Sequence, residues 1–398
     1  MPEHEPGHVE GPVVHGPGAA AGDVLDLLRA LVSTPSVNPG MEPDGTGEGE
    51  IARLTAGWLG EWGFDTRIVE AEPGRPSVLA RLRHGPGRSL ILNGHLDTVG
   101  TQGMTIAPFS AGISDGRVWG RGACDMKAGV AALLAAGRDA AAAGFTGELI
   151  IALTADEEEA GIGCRRLVQD GLRADAAIVC EPTGLAIMPA HKGFVWIGID
   201  FHGRAAHGSR PDRGVDAIRH AGQFLARLEE LEATLTQRRR HPLLGHASIH
   251  AGTIRGGTAP SVYPSSCRLV LERRTLPGDT AAAARSEVEY LLGRLRSDAP
   301  TLRADIDVVL HRNGSEVAPD HPVVAAFARV LAGVGIEPRI EGMSAWVEAV
   351  VFNEAGTPAF CFGPGRIEDA HSADESVEVE QVEAGHAALT GFVREFLA

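Results

Sequence analysis

Residues 89–100 read SLILNGHLDTVG, an aliphatic run that stops at Gly94 and delivers His95 and Asp97. A short apolar run bounded by glycine, with no helical period, reads as a buried strand. Three further runs have the same form: GELIIALTAD (147–156) leads into Glu157 and Glu158, AAIVC (176–180) into Glu181, and PAFCFGPG (358–365) stands ahead of His371. Asp125 instead follows VWGRGAC (118–124) and precedes a long Ala/Leu segment. In open α/β sheets ligands gather at the carboxyl ends of strands, so segments remote in sequence can bring these groups to one crevice.

Outward from these strands the wiring is α/β. DVLDLLRALVS (23–33) and GEIARLTAGWLGEWGF (49–64) carry apolar residues at three and four spacing, and helices and buried strands then alternate to about Ala190. The texture changes after His191: strand FVWIGIDFHG, helix GVDAIRHAGQFLARLEEL, strands ASIHAGTIRGG and CRLVLERRTL, helix DTAAAARSEVEYLLGRLRS and strand ADIDVVLHRNG. That order is the split βαββαβ unit. The first texture returns with helix HPVVAAFARVLAGVG, helical stretch AWVEAVVFNEAG and strand PAFCFG. The expected fold is a mixed, largely parallel sheet flanked by helices, formed by residues 21–190 and 315–398, with a ferredoxin-like domain inserted at 191–314. Residues 1–20, rich in Pro, Gly, Glu and His, read as a disordered extension.

Composition excludes other classes. A chain of 398 residues with 44% hydrophobic content can bury two cores, and a net charge of -16 argues against nucleic-acid binding. The basic run Arg238-Arg239-Arg240-His241 reads as a solvated helix end. No segment has the length of a membrane span, and five cysteines without a CxxC pair read as reduced thiols of a cytoplasmic protein.

The chemistry lies in the joint occurrence of the polar residues, since each has an ordinary structural reading alone. His95 and Asp97 share a face if the strand continues, so the carboxylate can accept the second ring N–H of a metal-bound histidine. Asp125 among glycines can be a helix N-cap or a bridging ligand. Three consecutive glutamates after a buried strand repel one another unless cations relieve them, and they are best explained as a ligand beside a general base. Oxygen and imidazole ligands suit two divalent metals, zinc first, with cobalt or manganese as alternatives, and such a pair activates water for amide hydrolysis.

With these motifs assembled, the chain resembles the zinc-dependent family of acetylornithine deacetylase, succinyl-diaminopimelate desuccinylase, aminoacylase and glutamate carboxypeptidase, from LVSTPSVNP near residue 31 to the C-terminus. The resemblance implies that His95, Asp125 and Glu181 hold one metal, that Asp125 bridges, and that Glu158 and His371 complete the second. Glu157 matches the family's general base and Asp97 its supporting acid. The inserted domain matches the family's lid or dimerisation domain, which implies a homodimer. Within it, His207 of GRAAHGSRPDRGVDAI matches an oxyanion donor that reaches the partner's site. Arg274 of LERRTLPGD matches an arginine that holds the substrate carboxylate. Three departures affect the pocket: Ser261-Val262-Tyr263-Pro264 for Asn-Val-x-Pro, Ala128-Gly129 for Gly-Gly, and Val347-Glu348-Ala349 for Thr-Asp-Ala. The implied substrate is a small N-acyl amino acid, in the acetylornithine-deacetylase manner. A dipeptidase or carboxypeptidase is the sister alternative, and a non-hydrolytic metal-binding scaffold a further one that the intact Glu157 disfavours.

Overall fold

The computed structural model describes residues 22–238 and 240–398, so the expectation for residues 1–20 lies outside the described residues. The described chain divides into two compact units, one running to Pro189 and resuming over Val317–Glu341 and Val347–Ala398, the other comprising Ala190–Glu316 and Gly342–Trp346. The segment Gly342–Trp346, which carries no texture of its own in the sequence, groups with the second unit.

The first unit is built on a sheet whose strands lie in the order Asp65–Glu70, Pro76–His84, Gly147–Thr154, Ser89–His95, Ala176–Val179, Ala359–Cys361 and Ile187–His191. Its four central strands, Gly147–Thr154 to Ala359–Cys361, run parallel, while both flanks are antiparallel. The parallel strands read as continuous apolar runs because helices cover them. The flank strand Asp65–Glu70 (DTRIVE) is half exposed and charged, so its run lacks the apolar signature of the central strands. Helix Ala128–Ala143 packs among the sheet and the helices Val24–Ser33 and Val379–Phe396, and its side chains from Ala128 to Gly137 are all buried. At the start of the helix the approach is closest. A Cβ on Gly129 would lie 1.9 Å from the Cys180 carbonyl oxygen, so Gly129 is what lets the helix start dock beside Glu181. The first glycine of the family pattern is dispensable here, and Ala128 occupies its place inside the core.

The second unit is a four-stranded antiparallel sheet, ordered Ser248–Gly256, Ser266–Thr275, Gly193–His202 and Arg303–Arg312. Helices Ala217–Gln237 and Ala281–Asp298 complete the βαββαβ order. Strand period two explains one face: Val195, Ile197, Ile199 and Phe201 point with Cys267, Leu269 and Leu271 into a separate core. Asp216 and Thr280 start the helices by accepting N–H bonds from Arg219 at 2.9 Å and Ala283 at 3.1 Å. All five cysteines are free and buried.

Candidate metal centre and active site

The sheet brings five of the singled-out side chains together. His95 ends its strand, Glu157 and Glu158 follow the strand that ends at Thr154, and Glu181 lies two residues beyond Val179. His371 stands in the loop that follows Ala359–Cys361, with φ of 59°. Among the described residues, two groups of ligand-bearing side chains have atoms within 4.8 Å of one another: His95, Asp125 and Glu181, and Asp125, Glu158 and His371. Asp125 belongs to both, with Oδ1 3.1 Å from His95 Nε2 and Oδ2 3.4 Å from His371 Nε2. His371 Nε2 also lies 3.1 Å from Glu158, and His95 Nε2 lies 4.0 Å from Glu157 Oε2.

Electrostatics make this set costly without cations. Burial, reinforced by the charge of Asp125, pushes the Glu181 and Glu158 carboxyls up; burial and the Glu181 charge do the same to Glu157. Burial by itself disfavours the His95 imidazolium, yet its bond to Asp125 and the surrounding carboxylates hold it well above the ordinary range. Hydrogen bonds to Asp125 and Glu158 raise His371 to about 10. Burial opposes ionisation of Asp125, but the two imidazoles outweigh it and hold its carboxyl well below the usual range. Glu181 Oε1 is buried with no hydrogen-bond partner. Excess buried carboxylate, an orphaned oxygen and a shared aspartate fit a pair of divalent cations.

Two expectations about local roles change. The strand ends at His95, so Asp97 leaves the sheet, and His95 Nδ1 meets the Asp97 backbone carbonyl at 2.9 Å while the nearest carboxylate oxygen is 3.7 Å away. The Asp97 carboxylate instead accepts the N–H groups of Glu157 at 3.1 Å and Glu158 at 3.2 Å. Asp125 is not an N-cap, because the helix begins at Ala128 with Lys127 at its N-cap position and no side chain caps it.

What holds Asp125 is Glu375, which sequence reasoning missed. One Glu375 oxygen accepts from the Cys124 and Asp125 N–H groups, each at 3.0 Å; the other accepts from Gly122 N–H at 3.1 Å and Arg121 at 2.6 Å. Glu375 lies four residues after His371 in AHSADESVEV, so the acidic pair there was visible but its target was not. Buried Lys127 adds a further tie, donating to the Thr34 carbonyl at 2.9 Å.

His207 and Arg274 belong to the second unit. His207 is exposed, pairs through its backbone with Val262 and places Nδ1 2.8 Å from Ser209 Oγ, so the Ser261-Val262 departure sits beside it. Arg274 donates to the Ser344 carbonyl at 2.6 Å, lies 3.7 Å from Glu272 and stands over the Phe194 ring.

The departure at Glu348 has a defined setting. Its buried carboxyl accepts from Thr154 Oγ1 at 2.6 Å and Asn93 at 3.2 Å, while Oε1 has no partner. Burial pushes it up to about 7 from 4.5. Between those values the native state holds a proton that the unfolded chain has lost, so stability falls as pH rises through that window. Glu348→Gln removes the penalty. The metal-free variant is expected to match its parent near pH 4.5 and to exceed it by on the order of 3 kcal/mol at pH 8. Denaturant melts at both pH values check this, and parallel stability curves would exclude it.

Comparison with known proteins follows the same lines. The model of "Peptidase family M20/M25/M40" matches residues 91–395. The chain belongs to peptidase family M20/M25/M40. As a member it is a metal-dependent hydrolase acting on amide bonds. It is 36% identical over 319 residues to an acetylornithine deacetylase of Myxococcus xanthus, covering 78% of this chain and 81% of that one. Identity to an acetylornithine deacetylase of Pectobacterium carotovorum is 30% over 380 residues, covering 94% and 97%. Among solved M20 structures, a metallo-carboxypeptidase from Sulfolobus solfataricus superposes with a TM-score of 0.78 at 18% identity, covering 94% of this chain and 99% of that one. At that identity the likeness speaks for the fold.

Proposed function

We propose that this M20 enzyme removes a small acyl group from an N-acyl amino acid, in the manner of an acetylornithine deacetylase. The observation that carries the hydrolytic part of this reading is that two donor sets meet on Asp125 with Glu157 at their edge, 4.0 Å from His95 Nε2. In this reading His95, Asp125 and Glu181 hold one divalent cation, and Asp125, Glu158 and His371 hold a second; zinc suits these donors, as do cobalt and manganese. When bound, such a pair supplies Lewis acidity that polarises an amide carbonyl and acidifies water.

The chain's own residues do the rest. Glu157 takes a proton from the attacking water as the C–O bond forms and gives it to the amide nitrogen as the C–N bond breaks. One water is consumed, and a carboxylic acid and a free amine leave. A carboxyl whose proton affinity is raised by burial and by Glu181 is suited to both halves of that transfer. By resemblance, the second unit forms a homodimer interface, His207 donates to the oxyanion and Arg274 holds the substrate carboxylate. A planar guanidinium grips a carboxylate with two parallel N–H bonds and so fixes the amide away from the reacting atoms. The names of the curated relatives support the deacylase reading. A dipeptidase or carboxypeptidase is the second reading, supported by the peptidases of the same family.

A substrate panel separates the two. Dialysed, metal-free protein is expected to be inactive toward N-acetyl, N-succinyl, N-formyl and N-carbamoyl amino acids, and zinc or cobalt is expected to restore turnover of one acyl class. Each acyl amino acid is expected to outpace its carboxamide. Full activity in chelated, metal-analysed protein would remove the metal mechanism. Preference for dipeptides would select the second reading, and equal turnover of the carboxamides would discard Arg274 as the anchor.

A further inference from the structure

Behind Glu157 lies a buried ionic network that the metal chemistry does not use. Asp156 is a non-glycine residue at φ of 68° and is buried. L residues seldom adopt that conformation, and Asp and Asn tolerate it better than most. Its Oδ1 accepts from Asn38 at 3.1 Å and from Arg75 at 2.9 Å, while its own N–H donates to Glu48 at 3.2 Å. Arg75 in turn grips the buried Glu48 with Nε at 2.9 Å and a terminal nitrogen at 2.6 Å. Asn38 uses the same amide to reach Asp97 Oδ2 at 2.8 Å. Asp97 is the group that receives the Glu157 and Glu158 N–H bonds. The Glu157-Glu158 turn is thus pinned from both ends, by Asp156 before it and Asp97 beneath it, and Asn38 ties the two pins together. Glu48, Asn38 and Arg75 stand far from Asp156 in sequence.

We propose that Asp156 is a positioning residue for turnover: held in its left-handed conformation by Asn38 and Arg75, it fixes the turn so that Glu157 faces the reacting amide. The proposal rests on the reading of Glu157 as the general base. A displacement near 1 Å at a group that must meet a moving proton costs on the order of 100-fold in rate, whereas binding of substrate through remote groups is little changed. Asp156 therefore governs kcat more than KM.

Three variants of the full chain test this. Asp156→Gly keeps the left-handed conformation open but loses the side-chain bonds, and it leaves Arg75 paired with Glu48. It is expected to lower kcat by about 10- to 100-fold, with KM and metal content within about twofold of the parent. Asp156→Asn, which tolerates the same φ and retains an oxygen for Arg75, is expected to recover most of that loss. Arg75→Lys keeps the charge and loses the fork, so a smaller fall in kcat is expected, and it serves if Asp156→Gly does not fold. A second readout needs no turnover: in metal-free protein the Glu157 and Glu158 amide protons are expected to exchange faster in Asp156→Gly and near the parental rate in Asp156→Asn. Parental kcat with parental exchange in Asp156→Gly and Arg75→Lys would overturn the proposal. So would a fall in kcat without faster exchange, because that assigns Asp156 a role other than positioning. Glu157→Gln measured alongside separates the two readings. If it is active, the base assignment fails; if it is inactive while Asp156→Gly turns over normally, only the positioning role fails.

Discussion

Glu157→Gln is expected to bind metal and substrate as the parent does and to lose turnover by ~10²–10⁴-fold, the range for removal of a general base. The substitution keeps the shape of the side chain and its place after the strand Gly147–Thr154. It removes only the capacity to accept a proton. Glu157 is the right member of the triplet for this role because neither candidate ligand group includes it, yet it approaches His95 to 4.0 Å. Glu158 is committed to the group around His371. The measurement is kcat with the metal content determined on the same sample, since a variant that loses metal would lose turnover for another reason. Near-parental turnover with full metal would reject Glu157 as the base and turn attention to Glu159, the remaining glutamate of the run.

Much of the candidate site was legible because the parallel central strands of one sheet end on one side. SLILNG, ELIIALT and AAIV are buried on both faces, so their ends are unmistakable in sequence, and His95, Glu157, Glu158 and Glu181 follow directly. The ferredoxin-like order was legible for a related reason: helices and strands there differ in period, and their junctions carry turn residues. What escaped reading depends on contacts rather than period. Asn38 meets Asp156 across 118 positions and Glu375 meets Asp125 across 250. A single carboxylate in a loop has no pattern that names its partner. The strands Gly112–Ser114, Arg117–Trp119 and Ser376–Glu378, which form a separate small sheet, span three residues each, too few for alternation to register. Asp97 shows the remaining kind of gap. Its spacing from His95 was informative only on the premise that the strand continued, and the strand stops.

Replacing Asp125 is expected to cost both cations at once, whereas replacing His95 or His371 is expected to weaken mainly one. The reason is geometric: Asp125 is the one residue common to the two groups, with one oxygen toward His95 and the other toward His371. Asp125→Ala leaves Glu181 and His95 on one side and Glu158 and His371 on the other, two ligands each, with no shared anion to offset repulsion between two divalent charges. Loss of an outer partner of a metal ligand costs about 10- to 100-fold in metal affinity, so loss of a shared ligand should exceed 100-fold for each cation. Glu375 sets a useful intermediate. It holds Asp125 through backbone N–H groups without joining either ligand group, so Glu375→Gln should weaken both cations by the smaller, outer-partner factor. Equilibrium dialysis against zinc or cobalt gives the stoichiometry directly: near zero for Asp125→Ala, near one for His95→Ala and His371→Ala, and two at high metal for Glu375→Gln. Retention of one tightly held cation by Asp125→Ala would mean that the two groups are independent sites and that Asp125 does not bridge them.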